Sequence, residues 1–223
     1  MFNFYTPNLF YPPSFWWSMN IGALITLLFF IYRCKRVFLK HVDPIRLNIV
    51  LTFTFTLSII WLMKAQLLDY LYLHFIGASL AYLLLGFPMA GLALATVLVF
   101  TNLTQQTPID IWGAQYLLAV LLPLSLSWLL HYCVKALLPK RVFAFIFVHG
   151  FFVTATVMVL TVSINLLVLN KINIITLDIG NQVFWVSALL LGWGEAFLTG
   201  MMTALITVYR PQWWYRQTLF KDI

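Results

Sequence analysis

The chain has 223 residues, of which 63% are apolar and only 9% charged, and its formal net charge is +7. A water-soluble domain carries about 25% charged and about 45–50% apolar residues. There is too little polar material here to cover a solvated surface, so a soluble domain is excluded, and the basic excess reads as membrane topology rather than nucleic-acid affinity.

Seven apolar segments are marked by their polar boundaries: residues 15–32, 47–63, 71–86, 87–103, 114–134, 142–169 and 183–208. Runs of about 20 apolar residues match the ~30 Å hydrocarbon core of a bilayer. Period-two alternation is absent, so helices are expected rather than a barrel. The fold class read from the sequence is all-α: one polytopic membrane helix bundle over residues 1–223, with about seven transmembrane helices. Gly86-Phe87-Pro88 is expected to form a tight turn between antiparallel neighbours.

Arg33, Lys35, Arg36, Lys40 and Arg46 follow the first segment, Lys135, Lys140 and Arg141 follow the fifth, and Arg210, Arg216 and Lys221 follow the seventh. Only Lys64 and Lys171 fall on the other side. Basic loops stay in the cytoplasm, which predicts an outside N-terminus and a cytoplasmic C-terminus. The basic cluster follows the first segment instead of preceding it, the reverse of a cleavable signal peptide, so that segment is expected to be retained. Trp16, Trp17, Trp213, Trp214, Tyr5, Tyr11 and Tyr215 crowd the boundaries as an interfacial belt. Cys34 and Cys133 both fall on the basic side and suggest no disulfide framework.

No phosphate-binding loop, Cys-x-x-Cys pair, zinc-protease motif or nucleophile–base set is present, so nothing recommends an enzyme. Glu195 is the only glutamate, and it lies inside the seventh segment. An ionisable group in hydrocarbon costs about 2.5–3.5 kcal/mol on insertion scales. It is expected either to be hydrogen-bonded in packing or to line a substrate path or subunit contact. Ala188, Gly192, Ala196, Gly200 and Ala204 recur every fourth residue as a small-residue ridge, which would meet another span of the chain or a partner protein. Thr199 and Met202 continue the Glu195 face.

His74 lies early in the third segment, after Asp69 and Tyr70 and before a small face of Gly77, Ala78 and Ala81. An intramembrane imidazole binds a transition metal or hydrogen-bonds to a neighbour. His149, inside the sixth segment, would add a second imidazole, whereas His41 and His131 read as interfacial. Asn102, Gln105, Gln106, Asp110 and Gln115 group around an outer loop, either as an entrance or as solvated polar surface.

Several stretches carry a family resemblance. Residues 74–86 (HFIGASLAYLLLG) resemble the His-Leu-Leu-Gly-Ala…Leu-Leu-Gly stretch of CbiM-like permeases, and Gly113-Ala114-Gln115 is similar to that family's Gly-Ala-Asn. Leu138-Pro139-Lys140-Arg141-Val142-Phe143 with Phe145-Ile146-Phe147 resembles a divergent, predicted-permease branch. So does Glu195-Ala-Phe-Leu-Thr-Gly200 leading into Val208-Tyr209-Arg210-Pro211-Gln212-Trp213. The resemblance covers about residues 71–215. It implies the substrate-specific permease of an energy-coupling-factor ABC transporter, a multi-pass protein of the bacterial inner membrane. The cargo it implies is a transition-metal ion, Ni²⁺ or Co²⁺, with no covalently bound cofactor. Its implied partners are a transmembrane coupling protein and cytoplasmic ATPase subunits, within a lipid bilayer and without nucleic acid.

Metal-binding members begin Met-His and add a histidine from a later helix. His74 matches the later one, but this chain begins Met1-Phe2-Asn3. The expected metal residues are therefore His74, with His149 or Glu195 replacing the missing ligand. Two other classes of reading are an ion-coupled secondary carrier using Glu195 and a non-transporting subunit docking through the ridge.

Overall fold

The computed structural model describes residues 13–38, 44–63, 65–68, 71–137, 141–171 and 177–215. Met1, Phe2, Asn3, Tyr5, Tyr11, Lys40, His41, Lys64, Asp69, Tyr70, Leu138, Pro139, Lys140, Arg216 and Lys221 lie outside the described residues.

In hydrocarbon every backbone polar group must be satisfied within its own segment, and long Leu/Ile/Val/Phe runs accordingly become helices. They are α1 (Pro13–Phe38), α2 (Pro44–Leu62), α3 (Ala78–Leu85), α4 (Phe87–Thr104), α5 (Trp112–Tyr116), α6 (Leu122–Leu137), α7 (Val142–Ala144), α8 (Val153–Lys171) and α9 (Leu177–Tyr209). A π-helical turn at Leu117–Leu121 joins α5 to α6, and another at Phe145–Phe152 joins α7 to α8. Between α2 and α3 lies a small antiparallel ribbon, β1 (Ala65–Leu68) and β2 (Leu71–Leu73), with Ala65 opposite Leu73.

Among the described residues six helical stretches are long and apolar enough to cross a membrane: Phe15–Lys35, Pro44–Leu62, Phe87–Thr104, Ile109–Lys135, Val142–Val168 and Ala188–Tyr209. Their outer faces carry large apolar side chains, such as Leu24, Ile25 and Leu28 on α1 and Leu189, Trp193 and Phe197 on α9. In a membrane protein these face lipid. Inside, Leu83, Leu94, Val97, Val120 and Leu124 are completely enclosed.

The third apolar segment departs from the expected continuous helix. Leu71–Leu73 is strand, residues 74–77 have no regular structure, and α3 is eight residues long. At 1.5 Å per residue such a helix is about 12 Å long, well short of a bilayer. The reason lies in its surroundings: Ala78, Ala81, Leu83, Leu84 and Leu85 are buried in protein, so their apolarity serves the core and not lipid. Gly77 adopts φ 71° directly before α3, a left-handed conformation that ends any helix arriving from the N-terminal side.

Contacts with α2 show how deep this broken segment reaches. The Trp61 ring lies 4.5 Å from the His74 ring. Fifteen residues earlier in α2, the Arg46 guanidinium donates to the carbonyls of Leu84 (3.1 Å) and Trp214 (3.2 Å). From His74 to Leu84 the chain thus travels the depth that α2 covers from Trp61 to Arg46, about 22 Å. The first four residues of that stretch, 74–77, are unwound. At the end marked by Arg46, Gly86 turns the chain with φ 75° into α4.

The bundle is pinned at both ends. Asn20 of α1 accepts the Gly113 N–H at 2.6 Å and donates to the Asp110 carbonyl at 2.8 Å. Towards the Arg46 end, Phe30 of α1 packs edge-on against Phe87 at 5.3 Å and over Gly91 of α4. Cys34 is buried and Cys133 exposed, and both are free thiols.

Candidate functional site

A half-helix that begins inside the bundle exposes N–H groups with no intrahelical acceptor. Glu195 of α9 meets the two backbone N–H groups just before them. Its Oε1 accepts the N–H groups of Ile76 and Gly77, the latter at 3.0 Å, and Oε2 lies 3.3 Å from Gly77 N. The carboxyl group therefore holds the two residues that lead into the N-terminus of α3. Non-helical backbone at membrane depth survives only where protein satisfies it, and here Glu195 does so. At 2% exposure it is sealed from lipid.

His74 stands at the mouth of the same unwound stretch, 8% exposed, with its ring on Trp61. Its Nδ1–H donates to the Phe75 carbonyl at 3.0 Å. The structure thus joins Glu195 to the segment that His74 opens.

His149 sits elsewhere. It is carried on the π-helical turn before α8, and its ring stacks on His131 of α6 at 5.1 Å and 27°. Phe145 lies 5.4 Å from it, and Tyr82 of α3 lies 5.2 Å from His131. His131 had the look of an interfacial residue, being close to Lys135, but the structure encloses it at 2% exposure. Among the described residues, no three His, Cys, Asp or Glu side chains gather into a metal-holding group.

The small-residue ridge of α9 runs along α8 and its π-helical turn. Gly192 faces the Ala155 carbonyl and Val159, and Gly200 meets Gly150 and the ring of Phe151. Ala188 and Ala196 are buried, Ala204 half-buried. On the other side of α9, with α2 and α3, lies a cavity of about 390 Å³ walled by Ile49, Phe53, Leu57, Leu80, Thr199 and Met202, among others. Among the described residues no ionisable side chain lines it. It is too apolar to hold an ion.

The family model for the cobalt uptake substrate-specific transmembrane region, CbiM, matches residues 7–213. The chain belongs to the CbiM family. Neither a curated protein nor a solved structure matches it. As a CbiM protein it is the substrate-specific membrane component of an energy-coupling-factor uptake transporter for cobalt or nickel, a multi-pass membrane protein and not an enzyme. The match also reaches back through α1 and α2, beyond the stretch of about 71–215 that carries the resemblance in the sequence.

Other polar contacts inside this CbiM bundle pair residues whose partners the sequence does not name. Asn102 donates to Gln115 at 2.7 Å, and both are buried rather than spread on a solvated loop. Ser79 of α3 and Ser127 of α6 hydrogen-bond at 3.0 Å. Asn20 ties α1 to residues 109–113. Gln115, Gly113 and Ser79 lie in the stretches that carry the family resemblance, and Asn20, Asn102 and Ser127 are single polar residues in apolar segments.

Proposed function

We propose that this permease takes up a transition-metal cation, Co²⁺ or Ni²⁺, from the outer side, and that His74 contributes a ligand. The observation that carries the reading is the family match over residues 7–213. Imidazole nitrogen suits such ions, and a metal-bound histidine characteristically donates its other ring N–H to a carbonyl. His74 makes that donation to Phe75.

Energy comes from partners in this reading. The sequence carries no phosphate-binding loop, so a transmembrane coupling protein and cytoplasmic ATPases would supply ATP hydrolysis. The basic residues around Arg46 mark the cytoplasmic end by the positive-inside rule, and His74, at the other end, faces the exterior. Glu195 serves here as the residue that holds the half-helix beside His74 in place.

The test is uptake of radioactive Co²⁺ or Ni²⁺ by cells expressing the chain with its partners. His74→Ala is expected to abolish most of the uptake. Equal uptake by wild type and variant would remove His74 from the mechanism.

A further inference from the structure

The apolar cavity beside α3 has a shape that its volume alone does not convey. Within the bundle α2 packs mainly on α4 and α9 mainly on α8, and both touch the short α3 only lightly. The gap left between them is the cavity of about 390 Å³, with Leu80 and Leu84 of α3 as its floor. On α2 its lining runs from Ile45 to Ile60, about 22 Å of helix. Spread over that length, the volume leaves a cross-section of about 18 Å², a slot about 5 Å wide. The helix faces beside the slot expose Leu51, Phe55 and Ile59 on α2 and Met201 and Leu205 on α9. Its open side therefore faces hydrocarbon and not water.

The width selects the occupant. A single polymethylene chain, whose carbons keep about 4 Å from their neighbours, fits such a slot. An α-helix, about 10–12 Å across with its side chains, does not. Left empty, the slot would forfeit the dispersion contacts of all its wall atoms.

At one end the slot turns polar and basic. Trp213 and Asn48 line it there. The Arg46 guanidinium lies on the carbonyl of Leu84, a floor residue. Arg210, exposed, accepts the Trp213 N–H on its own carbonyl. Among the described residues no Asp or Glu lines the slot. By the positive-inside rule this end is cytoplasmic. Indole, amide and guanidinium groups at that depth meet phospholipid headgroups, and a basic rim between helices favours anionic ones.

We propose that the slot is a binding site for one acyl chain of an anionic phospholipid of the cytoplasmic leaflet, with its phosphate held at the rim by Arg210 and Asn48. The chain supplies the packing that α2 and α9 do not give each other, and it backs α3. The site is separate from His74 and does not depend on which ion is carried.

The experiment uses the purified full-length protein, delipidated in detergent, with phosphatidylglycerol and phosphatidylcholine as probes read by native mass spectrometry. Wild type is expected to bind one phosphatidylglycerol saturably, at least about fivefold more tightly than phosphatidylcholine. Arg210→Gln is expected to remove that preference, and Thr52→Phe, which puts a ring into the slot, to lower affinity for both lipids by about tenfold. Non-saturable binding, or unchanged affinity in Thr52→Phe, overturns the site. Equal affinity of wild type for the two lipids overturns the anionic headgroup assignment. If Thr52→Phe fails to fold, a benzoylphenylalanine photocrosslinker placed at Thr56 in native membranes decides. A lipid adduct supports the proposal, and an adduct to another protein chain overturns it.

Discussion

Replacing Glu195 tests the half-helix directly. In Glu195→Ala the N–H groups of Ile76 and Gly77 lose their shared acceptor inside a sealed interior. A buried donor left unsatisfied costs about 1–3 kcal/mol, so two should cost about 2–6 kcal/mol. Glu195→Gln keeps an oxygen acceptor for the two N–H groups and should cost less. The expected order of stability is wild type, then Gln, then Ala. Denaturant unfolding in detergent micelles measures the order, and hydrogen exchange locates it. Amides of residues 76–81 should lose protection before those of α4. An Ala variant within about 0.5 kcal/mol of wild type, with those amides still protected, would refute the role of Glu195 in holding the unwound stretch.

The same contacts give further expectations. Gly113→Ala puts a methyl group into the Asn20 backbone, so α1 must move; a loss of about 1–3 kcal/mol is expected from thermal unfolding. Asn20→Ala removes the acceptor for Gly113 and the donor to Asp110, and should cost about 1–3 kcal/mol and be non-additive with Gly113→Ala in a double-mutant cycle. Arg46→Met leaves the Leu84 and Trp214 carbonyls without their donor. It should cost about 2–4 kcal/mol and raise proteolysis after Tyr209, whereas unchanged cleavage would show that the tail is held by other contacts.

The six long spans were legible because a lipid-facing helix must be apolar over its whole length. The third segment misled for a related reason: residues enclosed by protein are apolar too, and composition does not tell the two solvents apart. The sequence did hold the clues to the break, Gly77 within the segment and a lone glutamate elsewhere, but their pairing is separated by 118 residues. His131 was misplaced because nearness to Lys135 suggested an interface. What buries it is the stacking of His149 from another helix, and that depends on a π-helical turn with no sequence signature. The ridge on α9 was readable as a packing face, since small side chains at every fourth residue have few other uses. Its counterpart, Gly150 on the neighbouring rod, was visible only once the helices were placed.

Elemental analysis tests the transport account most directly. Protein purified with its partners from cells grown with Co²⁺ and Ni²⁺, then dialysed against metal-free buffer, should retain one of these ions. The retained amount should fall in His74→Ala. Metal-free wild-type protein, or equal metal in both, would contradict the account.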